Sequence, residues 1–226
     1  LGSTQTNASV IITEVLYNEV GSDRRGEWIE IYNNGSSPID LGGWNIGDEE
    51  TEGAASGTEA MFQFPAGATI TAGEVQIISM GANRFESIYG FLPNYEIPTG
   101  DENPAVSTLI LNSDWDPDGG ILNLSNGSDQ VLLLDPDKVL IDTLSWGNTF
   151  AFDPALDGGA ESDGQSCYRI DPWNDTDSAA DWALTPLATL STPGVIPEPT
   201  TGLFFLASGL LLLGRRSRRA SAAVLR

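Results

Sequence analysis

The pattern of apolar and polar positions changes every few residues and never settles into the 3.6-residue repeat of a long amphipathic helix. Val10–Tyr17 (VIITEVLY) is β-branched and apolar with polar breaks, and Glu27–Asn33 (EWIEIYN) alternates aromatic and aliphatic residues with Glu. Both read as strands. Asn34-Gly35 and Gly42-Gly43 are turn signals, and Asp40–Ile46 (DLGGWNI) resumes the strand pattern. Phe62–Phe64, Thr69-Ile70 and Glu74–Ser79 (EVQIIS) continue the series, and Arg84–Phe91 predicts a short helix. Ile121–Leu124, Gln130–Leu134 and Val139–Trp146 predict three close strands, with turns at Asn126-Gly127 and Asp135–Lys138 between them; Ser166–Ile170 predicts a late one. The acidic, Gly-rich stretches at 48–60, 94–120 and 149–165 carry little pattern and read mostly as long loops. About eight or nine short strands joined by turns predict an all-β fold, an antiparallel β-sandwich.

Composition reinforces this reading, and charge adds to it. The 226 residues include 25 Gly and 13 Pro, which favour turns over long helices. There are 32 acidic and 10 basic residues. All the acids precede Pro199, whereas only Arg24, Arg25, Arg84, Lys138 and Arg169 among the basic residues do, so the body carries five basic against 32 acidic residues, a net −27. Such a body repels phosphate backbones and excludes nucleic-acid binding by counterion release. Two readings remain: solubility in a salty or extracellular medium, and divalent cation binding. The absence of His excludes Ser-His-Asp and Cys-His catalysis and His-ligated zinc. The lone Cys167 forms no internal disulfide and reads as a buried, inert thiol.

The C-terminal segment has its own logic. Leu203–Leu213 (LFFLASGLLLL) is bracketed by Gly202 and Gly214. It falls short of the roughly 20 residues that span a bilayer comfortably. Arg215, Arg216, Arg218 and Arg219 follow at once, and clustered Arg beside an apolar segment stays on the cytoplasmic side. With Pro197-Glu198-Pro199 ahead, the order resembles the PEP-CTERM sorting signal of Gram-negative bacteria. That resemblance implies a precursor exported by the Sec machinery and held in the inner membrane by a helix at about 200–214. An exosortase would then cut near the Pro-Glu-Pro and free the body to the cell surface or matrix, often with exopolysaccharide. Residues 1–9 are polar and show no export signal, so a trimmed or partial N-terminus is expected.

A second resemblance covers the body from about Val10 to Gly194. ITEVLYN, EWIEIYN, DLGGWNI, LNLSNGSDQVLLLD and KVLIDTLSWGN, then SCYRI, Asp181-Trp182 and Thr192-Pro193-Gly194, are similar to the lamin-tail domain. It implies an immunoglobulin-like sandwich, with Trp28, Tyr32, Trp44, Trp146 and Trp182 in packing roles. The expected organisation is a disordered segment at 1–9, the sandwich at 10–194 and the sorting tail at 195–226 with its one short hydrophobic helix.

Candidate chemistry lies in the loops. Asp114-x-Asp116-x-Asp118-Gly119 matches the opening of an EF-hand-type calcium loop, with Ile121 at the apolar eighth position. Ser125 stands at the twelfth in place of the bidentate Glu, so a full EF-hand is excluded and a looser calcium site is the candidate. Asp171, Asp175 and Asp177 form a second, weaker cluster. Trp115 and Trp173 lie inside acidic loops, where exposure would suit contact with a sugar ring. No catalytic constellation stands out, and no cofactor is required. The expectation is an exported, non-enzymatic surface or matrix protein, a binding or adhesion module associated with exopolysaccharide, surface proteins or biofilm. The alternative is a secreted hydrolase, or an accessory part of one, acting through loop carboxylates, which would need a cleft with two carboxylates about 5–10 Å apart.

Overall fold

The computed structural model describes residues 10–21, 24–53, 57, 59–148, 155–156, 163–186 and 191–196. Residues Leu1–Ile196 form one compact unit and Pro197–Arg226 a second. The second unit, with Pro197, Glu198, Pro199, the expected helix and Arg215, Arg216, Arg218 and Arg219, lies outside the described residues, as does the expected disordered segment at 1–9. Among the described residues no helix is long and apolar enough to cross a membrane.

The body is mostly β, an immunoglobulin-like sandwich. Its strands are β1 (Val10–Leu16), β2 (Trp28–Asn33), β3 (Ile39–Asp40), β4 (Asn45–Gly47), β5 (Met61–Gln63), β6 (Thr69–Ile70), β7 (Val75–Ser79), β8 (Tyr95–Glu96), β9 (Ser107–Thr108), β10 (Ile110–Leu111), β11 (Asp129–Leu134), β12 (Leu140–Trp146), β13 (Ala155–Leu156), β14 (Cys167–Arg169) and β15 (Trp182–Leu184). One sheet has the order β15-β14-β1-β2-β7-β8-β9, the other β10-β5-β4-β11-β12-β13; β3 and β6 pair apart. Pairing is antiparallel except at β7/β8, β8/β9 and β12/β13, where short strands add in parallel near the sheet edges.

The first strand shows how the core is made. Ile12 faces Ile31 and Glu14 faces Glu30, so Thr13 is an extra residue in a β-bulge. The bulge resets the alternation. Val10, Ile12, Val15 and Tyr17 enter the core between the sheets, with Ile29, Ile31, Ile46, Phe62, Ile78, Val131, Leu133 and Leu144. Tyr17 stacks on Trp146 across that core, with centroids 4.0 Å apart and planes 8° from parallel. Cys167 is fully buried, as expected, with its thiol on the Tyr17 hydroxyl, and burial pushes its pKa up to about 12.

Both outer faces are covered as well. A helix, α1 (Ala82–Tyr89), lays Phe85 and Tyr89 edge-on against Trp28, beside Leu16 and Ile77. Gly81 offers no capping side chain; the Asp101 carboxylate instead accepts from the Arg84 amide at 2.8 Å. Gly90 ends the helix at φ 80°, and its N–H bonds the Glu86 carbonyl. On the other sheet Trp115 covers Met61, Leu132 and Leu134, whose positions alternate with the core-facing ones.

Residues 121–124, expected as a strand, are not one. Leu122 and Leu124 are buried in the core, which explains the apolar pattern. Their neighbours' amides, however, go to carboxylates rather than to a strand: Asn123 donates to Asp48 and Ser125 to Asp129. The end of the body is held in the same manner. Gly194 N–H donates to Glu30 at 2.6 Å, Thr192 N–H approaches Glu14 at 3.4 Å, and the Ser191 hydroxyl meets the Tyr89 hydroxyl at 2.6 Å.

Candidate functional site

Strand pairing gathers acids at one end of the sandwich. Gly47 pairs with Met61 and with Leu132, so Asp48, just past β4, and Ala60, just before β5, lie at the same end of the sheet as Asp129 and Gln130, the first residues of β11. The pairing is close: a Cβ on Gly47 would stand 2.0 Å from the Ala60 carbonyl. Asp48, fully buried, accepts from the Ala60 amide at 2.6 Å and the Asn123 amide at 3.3 Å. Burial nevertheless raises its pKa to about 8. Burial likewise lifts Glu27 to about 9, with the Glu19 charge adding to it, and Asp129 to about 6. The Asp129 charge raises Glu27, Asp48 and Glu59 alike, so these groups belong to one electrostatic neighbourhood.

Just beyond Asp48 lie Glu49 and Glu50, and Glu59 returns opposite them. One carboxylate oxygen from each of the three lies within 4.8 Å of the others. Glu49 is 2% exposed; its Oε1 accepts from the Thr51 amide at 2.9 Å, and its Oε2 is buried without a partner. Gln130 donates to Glu50 at 3.0 Å and to the Asp48 carbonyl. Desolvation first, then the charges of Glu50 and Glu49, raise Glu59 to about 7. Three hard oxygen donors at this spacing are a donor set suited to a divalent cation.

A cleft of ≈ 460 Å³ opens at the same end, lined among others by Glu19, Arg24, Glu27, Asn123 and Asn126. Glu27 Oε2 is buried there without a hydrogen-bond partner. Glu19 is paired with Arg84 at 3.3 Å.

The residues singled out by sequence fare differently. Trp115, expected to be exposed, is 5% exposed. Its ring covers apolar side chains and its Nε1 donates to the Glu49 carbonyl at 2.8 Å, so the polar end of the indole is satisfied inside. Asp114 and Asp118 flank it in solvent while Asp116 turns inward at 1% exposure; the three do not form a carboxylate group of the kind that Glu49, Glu50 and Glu59 make. Trp173 is 39% exposed, as expected, and packs edge-on against Tyr32 at 6.1 Å. Of the weaker cluster, Asp175 binds Arg169 at 2.9 Å, while Asp171 accepts from the Trp173 amide and Asp177 stands in a left-handed turn at φ 50°. Glu27, Glu49, Glu50 and Glu59 were not among the sequence candidates. The signal available was the run Asp48-Glu49-Glu50 directly after a strand, and only the β4–β5 pairing shows that Glu59 meets it.

The pattern of the Lamin Tail Domain family matches residues 3–148. The fold is similar to the crystal structure of a DUF4876 family protein from Bacteroides thetaiotaomicron VPI-5482, at 14% identity and a TM-score of 0.57, over 86% of this chain and 73% of that one. No curated protein matches the sequence.

Proposed function

The chain belongs to the lamin tail domain family, and we propose that it works as an exported, non-enzymatic surface or matrix protein whose sandwich is a binding or adhesion module. The observation that carries this reading is the sequence beyond Ile196: Pro197-Glu198-Pro199, an apolar run, then Arg215, Arg216, Arg218 and Arg219. In this reading the Sec machinery exports the precursor, the apolar segment holds it in the inner membrane and an exosortase cuts near Pro-Glu-Pro. The freed body engages exopolysaccharide or surface proteins. The −27 body suits an extracellular medium, and Trp173, half-exposed on the edge of Tyr32, is the aromatic offered to a sugar ring. Mass spectrometry of secreted material from the native host is expected to find a C-terminus between Pro197 and Thr200. An intact Arg-rich end in the cell envelope would refute processing.

The cleft favours one second reading, a hydrolase. Glu27, lifted to about 9, holds a proton at neutral pH and has Glu19 beside it, the pair of carboxyl groups that glycoside cleavage uses. If this reading holds, Glu27→Gln abolishes hydrolysis of the host's own exopolysaccharide. If purified protein releases no reducing ends from that material, the non-enzymatic reading stands.

A further inference from the structure

We propose that Glu49, Glu50 and Glu59, backed by Asp116, form a calcium site that ties the 48–60 loop to the 112–120 turn. Nothing in this requires export or cleavage of the tail.

Two independent observations carry it. The first is the carboxylate trio, whose oxygens lie within 4.8 Å of one another. Oxygens at that spacing can share one ion at the roughly 2.3–2.6 Å of calcium coordination, whereas magnesium needs about 2.0–2.1 Å and a stricter octahedron. The second is Asp116, on a different segment. It is 1% exposed, and neither of its carboxylate oxygens has a hydrogen-bond partner. A buried carboxylate with no donor is costly, and it is stable when paired or when it coordinates a metal.

Asp116 also lies beside the main chain of Glu59, a member of the trio. A Cβ placed on Gly120 would fall 2.0 Å from Asp116 Oδ2 and 2.1 Å from the Glu59 main-chain oxygen, so these two acceptors flank the same small space. The residue before Asp116 is locked to the residue that opens the trio: Trp115 Nε1 donates to the Glu49 carbonyl, and the Gly53 amide donates to the Trp115 carbonyl, both at 2.8 Å. Within the trio, Glu49 Oε2 is buried and without a hydrogen-bond partner. Two loops thus press acceptors toward one another, and Lys138, whose ammonium lies over the Trp115 ring, is paired with Glu52. A calcium ion would bring positive charge to these carboxylates.

The test uses the full chain, freed of metal with a chelator and titrated with calcium chloride by calorimetry and by thermal melting. The expected result is one saturable site and a rise in Tm at millimolar calcium. Glu49→Gln/Glu59→Gln should weaken binding at least tenfold, and its melting temperature without calcium should be no lower than that of the parent, which shows that the variant is folded. Asp114→Asn/Asp118→Asn, altering the exposed carboxylates of the turn, should bind as the parent does. No saturable binding by the parent overturns the proposal. So does unchanged affinity in the Glu variant, or a tenfold loss in the Asp114/Asp118 variant, which would return the site to the turn.

Discussion

Arg169→Met is expected to cost about 3–5 kcal/mol, the usual result of removing one partner from a buried ion pair. Arg169 is 1% exposed and serves as a hub. Its Nη2 donates to both Asp142 oxygens at 3.0 and 2.9 Å, its Nη1 to Asp175 at 2.9 Å, and its Nε to the Ile12 carbonyl at 3.0 Å. Asp181 lies 3.6 Å from it, and the guanidinium rests 4.5 Å from the centre of the Trp182 ring. Met fills much of the volume but removes the counter-ion of Asp142, which is 5% exposed and already pushed up to about 7 by burial, so the carboxyl must either bury an unpaired charge or take up a proton. Because each kcal/mol corresponds to about 2–4 °C for a domain of this size, Tm should fall by roughly 10 °C. Arg169→Lys should fall between, since one ammonium cannot reproduce the planar fork. Adding Asp142→Asn to Arg169→Met should recover part of the loss. A loss under about 1 kcal/mol in urea unfolding of Arg169→Met would show that the pair contributes little beyond its own desolvation.

The second large effect is a stability that falls as pH rises. Glu27 is 6% exposed and holds its proton to about pH 9; Glu30 is 1% exposed and holds its proton to about pH 8, mainly because of burial. Both lie above the ordinary value of 4.5. Below that value each group is protonated whether the chain is folded or not, and burial carries no penalty. Between it and the folded pKa the unfolded chain loses the proton and the native chain keeps it, so unfolding releases protons and rising pH favours it. Each such group costs on the order of 1 kcal/mol per pH unit across that window. With chelator present and ionic strength fixed, Tm should be highest near pH 5 and fall through pH 8. Glu27 is the cleaner probe. Glu19 and Asp129 raise it, while Arg24 and the Leu124 amide oppose them. Glu27→Gln should melt with the parent near pH 5 and above it at pH 8. A flat or rising Tm between those values in the parent would contradict the protonated state.

What was readable in advance follows from how local each feature is. EWIEIYN declares itself because alternation is a property of neighbours, and all six residues of β2 are buried between core and covering layer. The bulge at Thr13 was not readable: only the partner strand reveals that two residues oppose one. LNL at 122–124 looked like a strand because apolar burial and sheet pairing leave the same mark, whereas here carboxylates take the amides. Trp115 misled for a related reason. Asp114 and Asp118 do face water, but Trp115 and Asp116 between them turn inward, and the acidic pattern of the turn does not mark which of its residues do so. Arg169 and Asp142 are 27 positions apart, and Glu49 and Glu59 are joined only by the β4–β5 pairing. Acids were so numerous that composition could nominate none of these.

The fastening of residues 191–194 has a mechanical meaning. Pull on the body from its last described residue, and the load passes through Gly194 into Glu30 and through Ser191 into the helix over Trp28. β2 is an interior strand, bonded along its length to β1 on one side and β7 on the other. Traction therefore enters the sheet at its middle, where many bonds must yield together, and not first at β15 on the edge, where they could be peeled away one at a time.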